Sequence, residues 1–286
     1  MHPTQPEATC DLLDLPGITV IVGHAGVGKT TCAIGLALAH AAAGRPTTLV
    51  DLDIVNPYFR SSDYQATLAE KGVHVCAPVF AGSTLDTPSL TGELDALIEH
   101  AAGAGGAAGA TDGAREPLIV DVGGDDDGAT TLGRYAPALA AAGARVLYAA
   151  SCFRTLSASP ADAAGILRDI EHHAHLRASA LLNTSNLGSE TTADHVRRGI
   201  AFATEAARAC GLPLAGTAVP RCAIERLALE GPARAEAEAL LAHEGACDID
   251  AGTYQQIAAT LTDADSSAAP LVMMPTFVGT PWDARD

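Results

Sequence analysis

Short apolar runs alternate along the chain with stretches of helical character. "GITVIVG", "PTTLVDLD", "GVHVCAP", "PLIVDVGG", "ARVLYAAS", "ASALLNTS" and "LPLAGTAVP" read as strands, rich in Val, Ile and Leu and bounded by turn-forming residues. Strands separated by helices make βαβ units, and such near-continuous apolar runs suit a parallel sheet covered on both faces. The pattern predicts an α/β fold: a doubly wound, mainly parallel sheet of about seven or eight strands with helices on both faces.

The longest helices are expected over 30–43, 160–176, 189–210 and 224–243, with Gly44 and Gly211 as helix stops. The small-residue stretch 101–117, "AAGAGGAAGATDGAREP", reads as a flexible surface insertion before the fourth strand. The expected organisation is an N-terminal tail over 1–15, one large α/β domain over 16–263 and a C-terminal tail over 264–286. Within that last stretch "PLVMMPTFV" is apolar enough to dock onto the body.

Composition narrows the function classes. With 48% hydrophobic residues among 286, the chain can bury a large core, and it contains no apolar run of transmembrane length. Its formal net charge of −17 repels polyphosphate backbones and anionic headgroups, so no nucleic-acid and no membrane partner is expected. Arg197-Arg198, and Arg221 with Arg226, are pairs rather than basic runs and read as solvated helix faces or anion contacts. The N-terminal "MHPTQPEATCDLLDLPG" lacks the basic and apolar regions of a secretory signal, and the expected location is the cytoplasm. Seven scattered cysteines, without a C-x-x-C pair, read as reduced core residues.

Lysine is scarce: two against fifteen arginines. A lysine kept in such a chain points to a need for an ammonium where a guanidinium does not serve. Lys29 stands in "IVGHAGVGKTT", where Gly23-x-x-x-x-Gly28-Lys29-Thr30 satisfies the phosphate-loop pattern between an apolar strand and an alanine-rich helix. Glycines there let backbone N–H groups turn toward phosphates, and the helix N-terminus adds partial positive charge. The candidate nucleotide cradle is thus Gly23, His24, Ala25, Gly26, Val27, Gly28, Lys29, Thr30 and Thr31. Lys29 would reach the β- and γ-phosphates, and the Thr30 hydroxyl would bind Mg²⁺.

Two acidic strand ends follow. In "LVDLDIVNPYFR" Asp51 and Asp53 alternate outward at the end of a strand; in "LIVDVGGDDDGATTLGRY" Asp121 ends a strand and Asp121-x-x-Gly124 follows the pattern of a γ-phosphate-sensing switch. All three turns would converge at the carboxyl edge of the sheet. Asp53 is the candidate for orienting the attacking water, and Asp51 and Asp121 for holding Mg²⁺ through its water shell. The triplet Asp125–Asp127 either points into solvent or binds Mg²⁺ or a partner's cation.

At these motifs the sequence, from about Gly17 to Pro220, resembles the MinD/ParA-type ATPases, the deviant Walker A group of P-loop proteins that includes nitrogenase iron protein and the cobyrinate-amidating enzymes. "HAGVGKT" stands where that family reads K-G-G-x-G-K-T, and "DLD" lies at a family-like distance, with Asp53 twenty-four residues after Lys29. The resemblance implies ATP and Mg²⁺ as cofactors, Lys29 and Asp53 as catalytic residues, and an ATP-dependent homodimer. It also nominates Asn183, at the strand end in "ALLNTSN", for an adenine contact, and Val219 and Pro220, at the next strand's end in "GTAVPR", where a proline-containing loop closes over the base. One departure is plain: His24 occupies the place of the family's signature lysine, which reaches the partner's phosphates; either the replacement cation is protonated His24, Arg60, Arg134 or Arg154, or His24 simply packs against the loop.

The function expected is an ATP-hydrolysing switch acting on a protein partner, with "NPYFRSSDY" (Tyr58, Phe59, Arg60, Tyr64) as a switch surface or as packing beneath a helix. The alternatives are an ATP-dependent amidoligase or synthetase of the cobyrinate-amidating or dethiobiotin-forming type, and a nucleotide-dependent binding protein with little hydrolysis.

Overall fold

All seven apolar runs form strands: β1 (Ile18–Val22), β2 (Thr47–Leu52), β3 (Val73–Cys76), β4 (Leu118–Val122), β5 (Arg145–Ala150), β6 (Ala180–Asn183) and β7 (Leu214–Pro220). The structure, a computed structural model, describes residues 17–53, 61–77, 91–103, 116–220 and 271–274. An eighth strand, β8 (Leu271–Met274), pairs with β7 at the sheet edge, so part of the stretch "PLVMMPTFV" does join the body. The stretches 1–15 and 224–243, most of the 101–117 insertion, and Tyr58, Phe59 and Arg60 lie outside the described residues, as do Arg221 and Arg226.

The helices are α1 (Lys29–Ala42), α2 (Gln65–Glu70), α3 (Thr91–Ala101), α4 (Asp126–Gly133), α5 (Ala136–Ala141), α6 (Pro160–Ala174) and α7 (Ala193–Cys210). Every strand pairing among the described residues is parallel, in the order β3-β2-β4-β1-β5-β6-β7-β8. The chain moves outward to one side through β2 and β3, then returns through β4 and continues to the other side from β5. The order therefore reverses at β1 and β4, the place where open α/β sheets bind ligands beyond their carboxyl ends.

Alternation along each strand divides the core between two faces. Ile21, Leu49, Ile119 and Leu147 point to the side covered by α1, where Cys32, Ala33, Ile34, Leu36 and Ala37 meet them. Val20, Val22, Val120, Val122 and Tyr148 point to the other side, against Leu132 of α4, Leu167 of α6 and Phe202 of α7. Both faces being covered is why β1 and β4 are buried at every position.

Helix ends follow local chemistry. Gly44 and Gly211 follow α1 and α7 with positive φ, as their placement in the sequence predicts. The seventh helix starts at Ala193 rather than 189, because Thr192 caps it: its hydroxyl accepts from the His195 amide while the His195 ring accepts from the Thr192 amide. The sixth ends at Ala174, with His175 in the left-handed region. Cys32, Cys76, Cys152 and Cys210 are free thiols.

The Tyr148 hydroxyl donates to the Ala163 carbonyl at 2.8 Å in the buried layer between β5 and α6. Tyr148→Phe leaves that carbonyl without this donor and is expected to cost about 1–2 kcal/mol. Urea unfolding checks this, as a lowered midpoint with an unchanged slope.

Candidate phosphate and cation site

The link between β1 and α1 is the phosphate loop. Gly28, at φ 92°, is the N-cap of α1, and α1 has neither a capping side chain nor an acidic residue in its first turn. Helices α4, α6 and α7 are each capped by a side chain, from Asp125, Ser159 and Thr192. The first-turn amides of α1 thus lack side-chain acceptors, which suits them to an anion.

Lys29 is the first residue of this helix and only 6% exposed. Its Nζ donates to the His24 carbonyl at 3.1 Å, closing the loop on itself. Burial lowers its pKa, and the nearby carboxylates Asp121, Asp53 and Asp125 oppose that by favouring the ammonium. Val27 anchors the loop by packing into the core with Cys32 and Ile34.

β4 lies between β1 and β2, and its register sets Asp121 directly beside Asp51. The expectation that Asp51 faces outward is corrected: it is wholly buried, and its Oδ1 accepts the Asp53 amide at 3.0 Å, so it shapes the turn that presents Asp53. Asp53 itself is half-buried. Asp121 is 1% exposed, and neither of its carboxylate oxygens has a hydrogen-bond partner. Burial pushes its pKa up to about 7; Asp51 and Asp53 add to the rise, while Lys29 and, more weakly, the Thr30 hydroxyl hold it down.

The turn after β4 leans on the phosphate loop. A Cβ at Gly124 would stand 2.5 Å from the backbone of Ala25 and 2.7 Å from Lys29 Nζ, so only glycine permits this approach. Gly23 is equally confined, its hypothetical Cβ lying 2.5 Å from the Ala149 carbonyl. Lys29, Asp51, Asp53, Asp121 and Gly124 are therefore one cluster built from three strand ends.

This cluster fits both groups that the sequence implies. Two orphaned oxygens of a buried carboxylate near the Thr30 hydroxyl are a hard-cation donor set, and the uncapped helix with an ammonium at its start is a phosphate cradle.

The sequence model of the CobQ/CobB/MinD/ParA nucleotide binding domain matches residues 18–280. The chain belongs to this family. No curated protein matches it. Among solved structures it is similar to the signal recognition particle 54 kDa protein from Aeropyrum pernix K1 in complex with GDP, at 19% identity and TM-score 0.45, over 73% of this chain and 41% of that one. FtsY from Mycoplasma mycoides is 14% identical at TM-score 0.43, over 71% and 61%. The signal recognition particle receptor FtsY from Elizabethkingia anophelis is 16% identical at TM-score 0.44, over 73% and 63%. This chain thus spans less than two thirds of the length of each.

As a CobQ/CobB/MinD/ParA domain the chain carries a P-loop nucleotide-binding fold, and the three residues nominated for the base all lie at strand ends. Asn183 is wholly buried; its Oδ1 accepts the Ser185 amide at 3.1 Å and its Nδ2 donates to Thr217 Oγ1 at 3.1 Å. It acts as a turn former joining β6 to β7. Val219 and Pro220 end β7, as the sequence places them, and pair with Met273 and Met274 of β8. Tyr64 packs against the α1 side of the core rather than forming a surface.

Other features of the site have roles that the sequence did not assign. Asp125 caps α4, its Oδ1 accepting the Gly128 amide at 2.8 Å, a role signalled only by an acidic residue three before a glycine. A cavity of about 110 Å³ adjoins the phosphate loop at His24 and Gly124, floored by Val22, Val122 and Ile166 and rimmed by Asp125, Asp126 and Asp169. Nothing local in the sequence joins α6 to that loop.

Asp121 holds its proton to a higher pH when folded than the ordinary carboxyl, near pH 4. The folded state binds the extra proton between about pH 4 and 7, so stability falls as pH rises through that window and levels off above it. Asp121→Asn removes the loss. Its thermal midpoint is expected to exceed the wild-type value at pH 8 and to converge with it at pH 4; a difference independent of pH would contradict the assignment.

Proposed function

We propose that this protein is a Mg²⁺-dependent, ATP-binding and ATP-hydrolysing switch of the MinD/ParA-like type that acts on a cytoplasmic protein partner. One observation carries the reading: Gly124 of the turn after β4 rests on the phosphate-loop backbone beside Lys29, so a γ-phosphate entering the loop has to move or order that turn.

The roles follow from position. Loop amides from Gly23 to Thr31 wrap the phosphates, and Lys29 leaves the His24 carbonyl to neutralise the β- and γ-oxygens. Asp53, held at its amide by Asp51, orients water for in-line attack. Thr30, Asp51 and Asp121 would hold Mg²⁺ through its water shell, and the ion would supply charge neutralisation at the phosphates. The free energy of nucleotide binding is then read out by the β4–α4 turn, whose Asp125 cap links it to the helix behind.

The synthetase reading places a second substrate beside the phosphates, and the cavity at His24 is the space for one. Its rim carries Asp125, Asp126 and Asp169, which repel a carboxylate substrate of the cobyrinate or dethiobiotin type. The switch is therefore preferred. No described helix is long and apolar enough to cross a membrane, and the net charge of −17 disfavours contact with nucleic acid.

Mg²⁺-ATP turnover by the purified protein, with light scattering in the presence of ATP and of ADP, tests this. Wild type is expected to hydrolyse ATP, and Lys29→Ala and Asp53→Ala to lose about a hundredfold or more in kcat. Tight ATP binding without turnover would instead point to a missing second substrate or to a non-hydrolysing binder.

A further inference from the structure

The signature lysine is missing, and three arginines are available from the sequence to replace it. Arg60 lies outside the described residues, and Arg134 caps the far end of α4, about 12 Å along the helix from the phosphate site. Arg154 is different. It stands in the turn after β5, the strand beside β1, and its Nε donates to the Gly26 carbonyl at 2.6 Å, at the tip of the phosphate loop.

The turn that carries Arg154 is fixed from below. Ser157 Oγ donates to the Ser151 carbonyl at 2.7 Å, the Ser157 amide donates to the Arg154 carbonyl at 3.0 Å, and Ser185 Oγ accepts the Cys152 amide at 3.0 Å. Ser151, Ser157 and Ser185 are all buried. The neighbouring Phe153 is held by the edge of His195 and by Arg198 over its ring at 5.5 Å. The base of the arginine is thus set by a built hydrogen-bond framework.

Its head is exposed and makes no ion pair among the described residues, whereas Arg177 and Arg197 each sit on a carboxylate. A guanidinium has five N–H donors and keeps its charge at any physiological pH. One donor is spent on Gly26, which fixes the plane and leaves the terminal nitrogens for an oxyanion. In a chain of net charge −17, a permanent cation that forms no ion pair among the described residues and is fastened to a phosphate loop is placed for a phosphate ligand.

We propose that Arg154 contacts the terminal phosphate of a nucleoside triphosphate held in the loop, supplying from within the same chain the permanent charge that His24 does not. This rests on the nucleotide-binding reading above. His24 itself is turned to other work: in the tautomer protonated at Nδ1 its ring donates to the Ala25 carbonyl at 3.0 Å, and its own carbonyl holds Lys29.

Calorimetric titration with Mg²⁺-ADP and with the non-hydrolysable Mg²⁺-AMPPNP separates the possibilities for wild type, Arg154→Ala, Arg154→Lys, Arg154→Gln and Lys29→Ala. Arg154→Ala is expected to weaken AMPPNP about tenfold or more and ADP by less than about twofold. Arg154→Lys keeps part of that preference. Arg154→Gln, which retains a donor for Gly26 without the charge, loses it like alanine and guards against a loop that has merely slackened. Equal losses for both nucleotides would make Arg154 a brace of the loop and overturn the contact, as would unchanged affinities. Failure of wild type to bind either nucleotide would overturn the nucleotide reading together with this one; binding that Lys29→Ala abolishes but Arg154→Ala leaves unchanged overturns this one alone.

Discussion

An ammonium and a carboxylate share the dry floor of the sheet edge, and the rest of the site is arranged around that fact. Lys29 and Asp121 are both more than nine-tenths hidden from solvent, and burial pushes each toward its neutral form. A buried pair of this kind contributes little net stability, because desolvation offsets most of the attraction. It is kept here only by a strict geometry: the helix must start at Lys29, β4 must pair with β1 and β2 in one register, and Gly124 must let the next turn approach. Loss of any one leaves a buried charge without its counterpart.

Of the pair, Lys29 alone has a hydrogen-bond partner at rest. Lys29 leans on a backbone carbonyl of its own loop, and both oxygens of Asp121 lack a hydrogen bond. Unmet polar groups at this depth cost free energy that a well-packed interior avoids. Their concentration at one strand edge, beside a helix start without a capping side chain, is the physical signature of a site completed by an anion and a cation together.

The sheet was legible because both its faces are covered. Burial on two sides makes a strand read as an unbroken apolar run, so all seven stand out in the sequence, and β8 lies within an apolar stretch that was expected to dock. Periodicity says less about where a polar side chain ends up. Asp51 has the alternation of an outward carboxylate and is wholly buried, because the turn bends Asp53's amide back onto it. Asn183, Val219 and Pro220 follow a familiar motif, and here hydrogen bonding and the pairing of β7 with β8 use them for the sheet itself. Asp125 is an ordinary cap within a triplet that suggested something rarer. Arg154 meets Gly26 across 128 residues of sequence, a distance over which no local pattern operates.

His24 shows how a motif residue can change without dismantling its motif. The loop uses the backbone of this residue, through the carbonyl that receives Lys29 and, more weakly at 3.4 Å, the Val27 amide, and any side chain leaves that bond intact. What a histidine removes is the permanent charge that the resemblance assigns to contact with a second copy. Two chains of net charge −17 repel each other, and the repulsion grows as the solution grows poorer in salt. A lysine reaching across would oppose that repulsion at short range; the His24 ring is bonded to its own loop. The substitution therefore leaves the loop's own backbone bond to Lys29 intact, and what it changes is the charge that the side chain carries outward.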